Sequence, residues 1–191
     1  VFFWTLGTEY LGVNTIVDFS KRFGLGETTG IDLPGEVAGL IPTPKWKENV
    51  YHAKWLGGDT MNLSIGQGYL SVTPIQVANM VAMIVNDGVV YKPHLLKEIR
   101  DPISGELIET NQSEILQKSS IRPSTFQNVR KAMRGVITDG TASIVINTEA
   151  VEIAGKTGTG QAGFEDRWNS WFAAYGPYEV ESPDEQIVVV V

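Results

Sequence analysis

The chain has 191 residues, 42% of them hydrophobic, enough for one domain or most of one with a sizeable core. A net charge of -7 and a sequence pI of about 4.8 argue against a nucleic-acid surface, which needs a basic patch. The absence of Cys excludes disulfides and Cys-based zinc sites, and no apolar run reaches the ~18 residues that mark a membrane span.

No signal peptide, internal repeat or low-complexity linker is evident. Residues 1–12 predict a buried helix, because Phe2, Phe3, Leu6 and Tyr10 recur at helical spacing. Residues 14–23 predict a second helix, with Asn14 as N-cap, Ile16, Val17 and Phe23 on its apolar face and Gly24 as its stop. Residues 30–44 are turn-rich and extended, with Pro and Gly setting the backbone shape. Asp59, ahead of Thr60, Met61 and Leu63, reads as a loop or cap residue in preference to a site residue. Thr73-Pro74 predicts a helix start, a hydroxyl cap followed by Pro at the first helical position. That helix runs through Ile75, Val77, Ala78, Met80, Val81, Ile84 and Val85 to Asn86-Asp87-Gly88. It is apolar on nearly every face, so it should be central and buried, with Met as core filling.

Residues 95–100 and 106–110 flank Pro102-Ile103-Ser104-Gly105 and predict a hairpin. Pro123-Ser124 opens another helix, with Phe126, Val129, Met133, Val136 and Ile137 on one stripe. Arg130, Lys131 and Arg134 read as its solvated face, and Gly140-Thr141-Ala142 ends it. His52 and His94 lack partners at metal or triad spacing and read as structural.

Val151, Glu152 and Ile153 alternate as a half-buried strand does. The strand leads into Lys156-Thr157-Gly158-Thr159-Gly160-Gln161, a cation beside two hydroxyls with small residues between. Such a strand can receive a carboxylate and a developing oxyanion. Two nucleotide readings fail on context. A phosphate loop ending at Gly155-Lys156-Thr157 needs Gly at position 150, which is Ala150. Gly158, Gly160 and Gly163 fit G-x-G-x-x-G, but that turn must open a helix, whereas 164–167 leads to a strand over 169–175. After a turn at Gly176-Pro177, residues 186–191 form a last strand that pairs with 169–175. Three strands after mostly helices predict an α/β fold of the α+β type, an antiparallel sheet with helices packed on it. Val1-Phe2-Phe3-Trp4 starts inside an apolar pattern and 188–191 stops inside a strand. Both ends are therefore expected to be cut and prone to association.

Three motifs occur in order: Gly30-Ile31-Asp32-Leu33-Pro34-Gly35-Glu36, then Ser64-Ile65-Gly66-Gln67-Gly68 with Thr73-Pro74-Ile75-Gln76, then Lys156-Thr157-Gly158-Thr159-Gly160-Gln161. Together they resemble the transpeptidase domain of class B penicillin-binding proteins, nearest its elongation-type members, over nearly all of the chain. The resemblance implies a penicillin-recognising, β-lactamase-like fold and a peptidoglycan D,D-transpeptidase acting on D-Ala-D-Ala stem peptides through a serine acyl-enzyme. It implies no cofactor and no metal. It also implies β-lactams as ligands, a membrane glycan polymerase as partner, and a place on the periplasmic face of the inner membrane, anchored outside this chain. Lys156 would be catalytic, and the Thr159 backbone N–H would be an oxyanion donor. Thr157, Gly158, Thr159 and Gln161 would bind substrate, with the acyl donor antiparallel along the strand edge.

The chain departs from the family pattern in one decisive respect. No Ser has a Lys three residues on, and Ser182-Pro183-Asp184 follows the Lys-Thr-Gly where the family's second motif precedes it, so it reads as a loop. The second motif is expected just before Val1, the nucleophile further upstream and the last helix after Val191. Residues 1–191 then read as the C-terminal part of a single domain, with the missing parts of that domain as partners and no activity alone. The other functional class is a noncatalytic penicillin-recognising domain that binds peptide or scaffolds a partner. Asn169-Ser170 stands where relatives often have His-Ala.

Overall fold

The computed structural model of the chain describes residues 1–146, 150–161, 167–182 and 185–191. Helix α5 (Pro74–Val85) lies at its centre, as its all-round apolarity predicts. Val81, Met83 and Ile84 of α5 pack with Val90, Phe126, Met133, Ala154 and Tyr175 in one core. Thr73 caps α5: its hydroxyl accepts from Gln76 N–H, and Gln76 Oε1 accepts in return from Thr73 N–H at 3.0 Å. Gln76 is fully buried, and its Nε2 donates to Glu27 O (2.7 Å) and Ala38 O (2.8 Å), so every polar atom of the side chain is used.

The loop over 30–36 is held by its own carboxylates. Asp32 accepts from the N–H groups of Leu96 and Leu95, which hold it below the usual carboxylate range. Burial pushes Glu36 up, but the Thr29 hydroxyl and the Thr29 and Gly30 N–H groups outweigh it and leave the group lowered. This first motif is therefore a structural clasp.

The N-terminal region differs from expectation. Helix α1 (Phe2–Thr5) runs into a π-helical segment, Leu6–Leu11, and α2 (Gly12–Arg22) follows. The break falls at Gly12, whose φ of 72° favours glycine, and Asn14 lies inside α2 where a cap was expected. The expected buried helix is largely exposed: Phe2 is 71% and Tyr10 78% accessible. Gly24 does end α2 in a left-handed conformation.

Two short helices were not anticipated, α3 (Pro44–Tyr51) and α4 (Gly57–Leu63). Thr43 caps α3 and His52 closes it with a left-handed backbone. Asp59 has the expected cap role, accepting from Leu56 N–H at 2.7 Å, and it also pairs with the buried Lys47 at 2.6 Å. His94 is likewise structural, its Nδ1 2.9 Å from Leu96 O.

The predicted hairpin forms over shorter strands, β2 (Glu98–Arg100) and β3 (Leu107–Thr110), around an Asp101 turn that accepts from Ile103 and Ser104 N–H. A second antiparallel pair, β1 (Val89–Tyr91) with β4 (Ile115–Lys118), was not anticipated. Helix α6 (Pro123–Thr138) buries Phe126, Met133 and Ile137. Two of its three cations are not a solvated face. Arg130 donates to Ile84 O and Val85 O, the orphan carbonyls ending α5, and to Asp87. Arg134 donates to Ile153 O and Glu152. Lys131 alone is exposed as expected.

The main sheet is antiparallel in the order β5 (Ala154–Gln161), β6 (Trp168–Gly176), β7 (Ile187–Val190), as three strands in succession predict. Residues 151–153 lie outside β5, because their carbonyls bond Arg134 and Tyr178 N–H in place of a strand ladder. Gly158 and Gly160 lie inside β5, which excludes a dinucleotide turn there; Gly163 and 164–166 fall outside the described residues, as do Pro183 and Asp184. Tyr175 opposes Ala154, is 1% exposed, and has a hydroxyl without a hydrogen-bond partner among the described residues. Burial pushes its pKa up to about 12.

A candidate active-site strand

Strand β5 is an edge strand, and the pairing of its neighbour fixes what that edge offers. Phe172 exchanges both backbone hydrogen bonds with Val191, so its N–H and C=O face β7. By the alternation of an antiparallel ladder, Ala173, Trp171 and Asn169 face β5 and bond Lys156, Gly158 and Gly160, their register partners. The N–H and C=O groups of Thr157, Thr159 and Gln161 therefore point away from the sheet, along the free edge. Side chains alternate too: Lys156 and Gly158 share one face with the buried Ala154, while Thr157, Thr159 and Gln161 share the other.

All five residues singled out from the sequence lie on this strand. Lys156 is exposed, and its Nζ donates to Thr157 O at 2.6 Å. Among the described residues no carboxylate pairs with it, so its charge is available to an incoming anion. Gly158 has open space: among the described residues a methyl there would meet only Trp171 Cβ, at an ordinary 3.5 Å.

Two further residues reach the strand that sequence reasoning did not place there. Thr141, just past α6, puts its hydroxyl 3.0 Å from that of Thr157. Gln67 Nε2 donates to Thr159 O at 3.0 Å, and its Oε1 accepts from Gln161 N–H at 3.4 Å. Gln67 stood in a motif and Thr141 in a helix stop, but no local pattern announces contacts across 92 and 16 residues.

The family described as the penicillin-binding protein transpeptidase domain matches the chain over residues 1–191. The chain belongs to that family. It is 33% identical over 187 residues to the peptidoglycan D,D-transpeptidase MrdA of Haemophilus influenzae, covering 88% of this chain and 28% of that protein. The structure of penicillin-binding protein 2 from Helicobacter pylori superposes with a TM-score of 0.80 at 28% identity, covering 100% of this chain and 33% of that one. A chain from a peptidoglycan synthase complex that coordinates polymerization and crosslinking superposes at 0.78 and 30% identity, covering 99% and 31%. The chain thus spans about a quarter to a third of the relatives it matches. The fold is that of a penicillin-binding protein transpeptidase domain of the penicillin-binding protein 2 type. Its edge strand presents the outward N–H groups of Thr157 and Thr159 beside the Lys156 ammonium. Among the described residues no helix is long and apolar enough to cross a membrane.

Proposed function

We propose that this chain supplies the substrate-binding strand of a peptidoglycan D,D-transpeptidase. The observation that supports this most directly is the edge of β5, with the outward N–H groups of Thr157 and Thr159 beside a Lys156 ammonium that no carboxylate among the described residues pairs with. A stem peptide ending in D-Ala-D-Ala lies antiparallel along that edge, its carboxylate on Lys156 and Thr157. A serine attacks the penultimate carbonyl, the peptide C–N bond breaks and the terminal D-Ala leaves as the amine. The amine of a neighbouring stem then attacks the acyl-serine ester, forming the cross-link and freeing the hydroxyl. The Thr159 N–H and the N–H of the nucleophile itself stabilise the oxyanion at each stage. A β-lactam takes the place of the acyl donor. Gly158 leaves room on the Lys156 face, and Gln161 continues the edge.

The serine is not one of those in this chain, none of which has a Lys three residues on. We assign it to an upstream Ser-x-x-Lys of the same domain, so the isolated chain should form no adduct with labelled penicillin by intact-protein mass spectrometry. The working protein acts on the extracytoplasmic face of the membrane, with a glycan polymerase as its partner. In the full-length protein, Lys156→Ala should slow acylation by a β-lactam by roughly a hundred- to a thousandfold, about 2–4 kcal/mol, with an unchanged thermal melt. Lys156→Arg should recover only part of that rate, since it keeps the charge but not the shape. Acylation of Lys156→Ala within about threefold of the parent would overturn the assignment of this strand.

A further inference from the structure

The ribbon of β2 and β3 is no part of the core. None of its strand side chains is buried, and no other helix or strand makes more than marginal contact with it. An isolated two-stranded ribbon is marginal in water, yet this one is fastened at both ends. At its base the Asp32 carboxylate accepts from the N–H groups of Leu95 (2.7 Å) and Leu96 (3.0 Å). At its tip Asp101 accepts from those of Ile103 and Ser104, and Arg100 donates to Gly105 O at 3.1 Å. The chain holds the shape of a projecting element that buries nothing of its own.

One face of the ribbon is apolar between carboxylates. Ile99 opposes Glu109 and Arg100 opposes Leu107, which leaves Ile108 as the extra residue of a bulge. Asp101 N–H bonds Glu106 O, so Glu106 opposes Asp101 and, through the bulge, shares a face with Glu109 and Ile99. Ile108 is 64% and the tip residue Ile103 96% accessible. The charges on the ribbon do not balance. Arg100, hydrogen-bonded to Glu98 at 2.8 Å, and Lys97 hold the Glu98 carboxyl below its ordinary range, while Asp101 is engaged in the turn. Glu106 and Glu109 have no ion pair among the described residues.

We propose that the Ile99 face of this ribbon docks a segment of another protein in which apolar residues lie between two cations, the cations meeting Glu106 and Glu109. The charge balance selects that occupant. A second copy would bring the same two carboxylates on a chain of net charge -7, and an anionic lipid surface would be repelled alike. Apolar residues of the partner are buried against Ile99 and Ile108, while the ion pairs set the register and reject other partners. Docking here is separate from the reaction at β5. The 30–36 clasp takes on a second role, because Asp32 fixes the base from which the ribbon projects.

The test places a photo-reactive benzophenone amino acid at Ile108 of the full-length protein in growing cells. The same amino acid at Lys131, exposed on α6, is the reference. Irradiation should give an adduct with one other protein, well above the Lys131 reference. Mass spectrometry of the cross-linked peptide should find apolar residues flanked by Lys or Arg. Glu106→Lys combined with Glu109→Lys should cut the yield about tenfold, and Glu106→Gln with Glu109→Gln about threefold, the range of exposed ion pairs. Both double variants should melt and react with a β-lactam as the parent does, since these side chains support nothing else in the fold. Adducts only with the protein's own chain, only with lipid, or with a segment lacking cations overturn the proposal. So does a yield at Ile108 no higher than at Lys131, or one within about twofold of the parent after charge reversal. If the Lys pair lowers the melting temperature, the Gln pair decides, and an unchanged yield there overturns the proposal.

Discussion

The two ends of β5 are built on opposite terms. At Ala154 and Gly155 the strand is buried, and a methyl on Gly155 would lie 2.8 Å from Ala174 Cβ and 2.9 Å from Ala173 O, closer than packing allows. Three residues on, a methyl on Gly158 would meet nothing nearer than 3.5 Å among the described residues, and one on Gly160 nothing within 4 Å. Glycine at 155 is required by the chain's own packing, whereas none of the described residues requires glycine at 158. A glycine where the described residues leave room for a side chain is suited to the close approach of a neighbour from outside the protein. One strand thus carries a fold constraint at its start and, in our reading, a ligand constraint at its end.

Substitutions at the two glycines separate those constraints most sharply. Gly155→Ala should destabilise by about 1–3 kcal/mol through overpacking, read as a lower denaturation midpoint with an unchanged slope. A normal midpoint would show that the buried end tolerates a side chain and would dissolve the contrast. Gly158→Ala should leave the midpoint alone and slow acylation of the full-length protein about tenfold, since a 1 Å displacement of a bound donor is costly. Thr141→Val keeps the shape beside Thr157 but removes its hydroxyl partner; acylation should slow about threefold, within the range of one hydrogen bond. The smallest effect at neutral pH concerns Tyr175, the partner of Ala154. Its folded pKa lies above the unfolded value of about 10, so its contribution to stability is complete below pH ~10 and is lost as pH rises toward about 12. In Tyr175→Phe that alkaline loss should shrink, with little change at pH 7, because the buried hydroxyl has no described partner to lose.

The elements legible in the sequence were those whose cause is local. Thr73-Pro74 announced α5 because a cap and a fixed φ act within one turn, and the order β5-β6-β7 followed from successive strand-like runs, the last two parted by a turn. The misreadings share the opposite cause. Arg130 and Arg134 resembled a solvated face because their partners, the end of α5 and residues 152–153, lie far away in sequence. The N-terminal aromatics have helical spacing, but spacing cannot say whether anything covers them, and they are exposed. At the site, Lys156 to Gln161 was legible as one contiguous motif. Gln67 and Thr141 were not, since their roles exist only once the turn after α4 and the end of α6 have met β5.

Gln76 has a consequence for how the molecule opens. Its side chain joins three separated points, Glu27, Ala38 and Thr73, through atoms sealed from water. Lifting the 27–38 loop alone would leave both N–H donors of the Gln76 carboxamide unpaired in the interior, so the loop has no inexpensive way to fray. A surface segment dense in Gly and Pro would ordinarily exchange its amides and yield to proteases early. Here the loop is bound to the fate of α5, and hydrogen exchange and nicking within it should report the opening of the core.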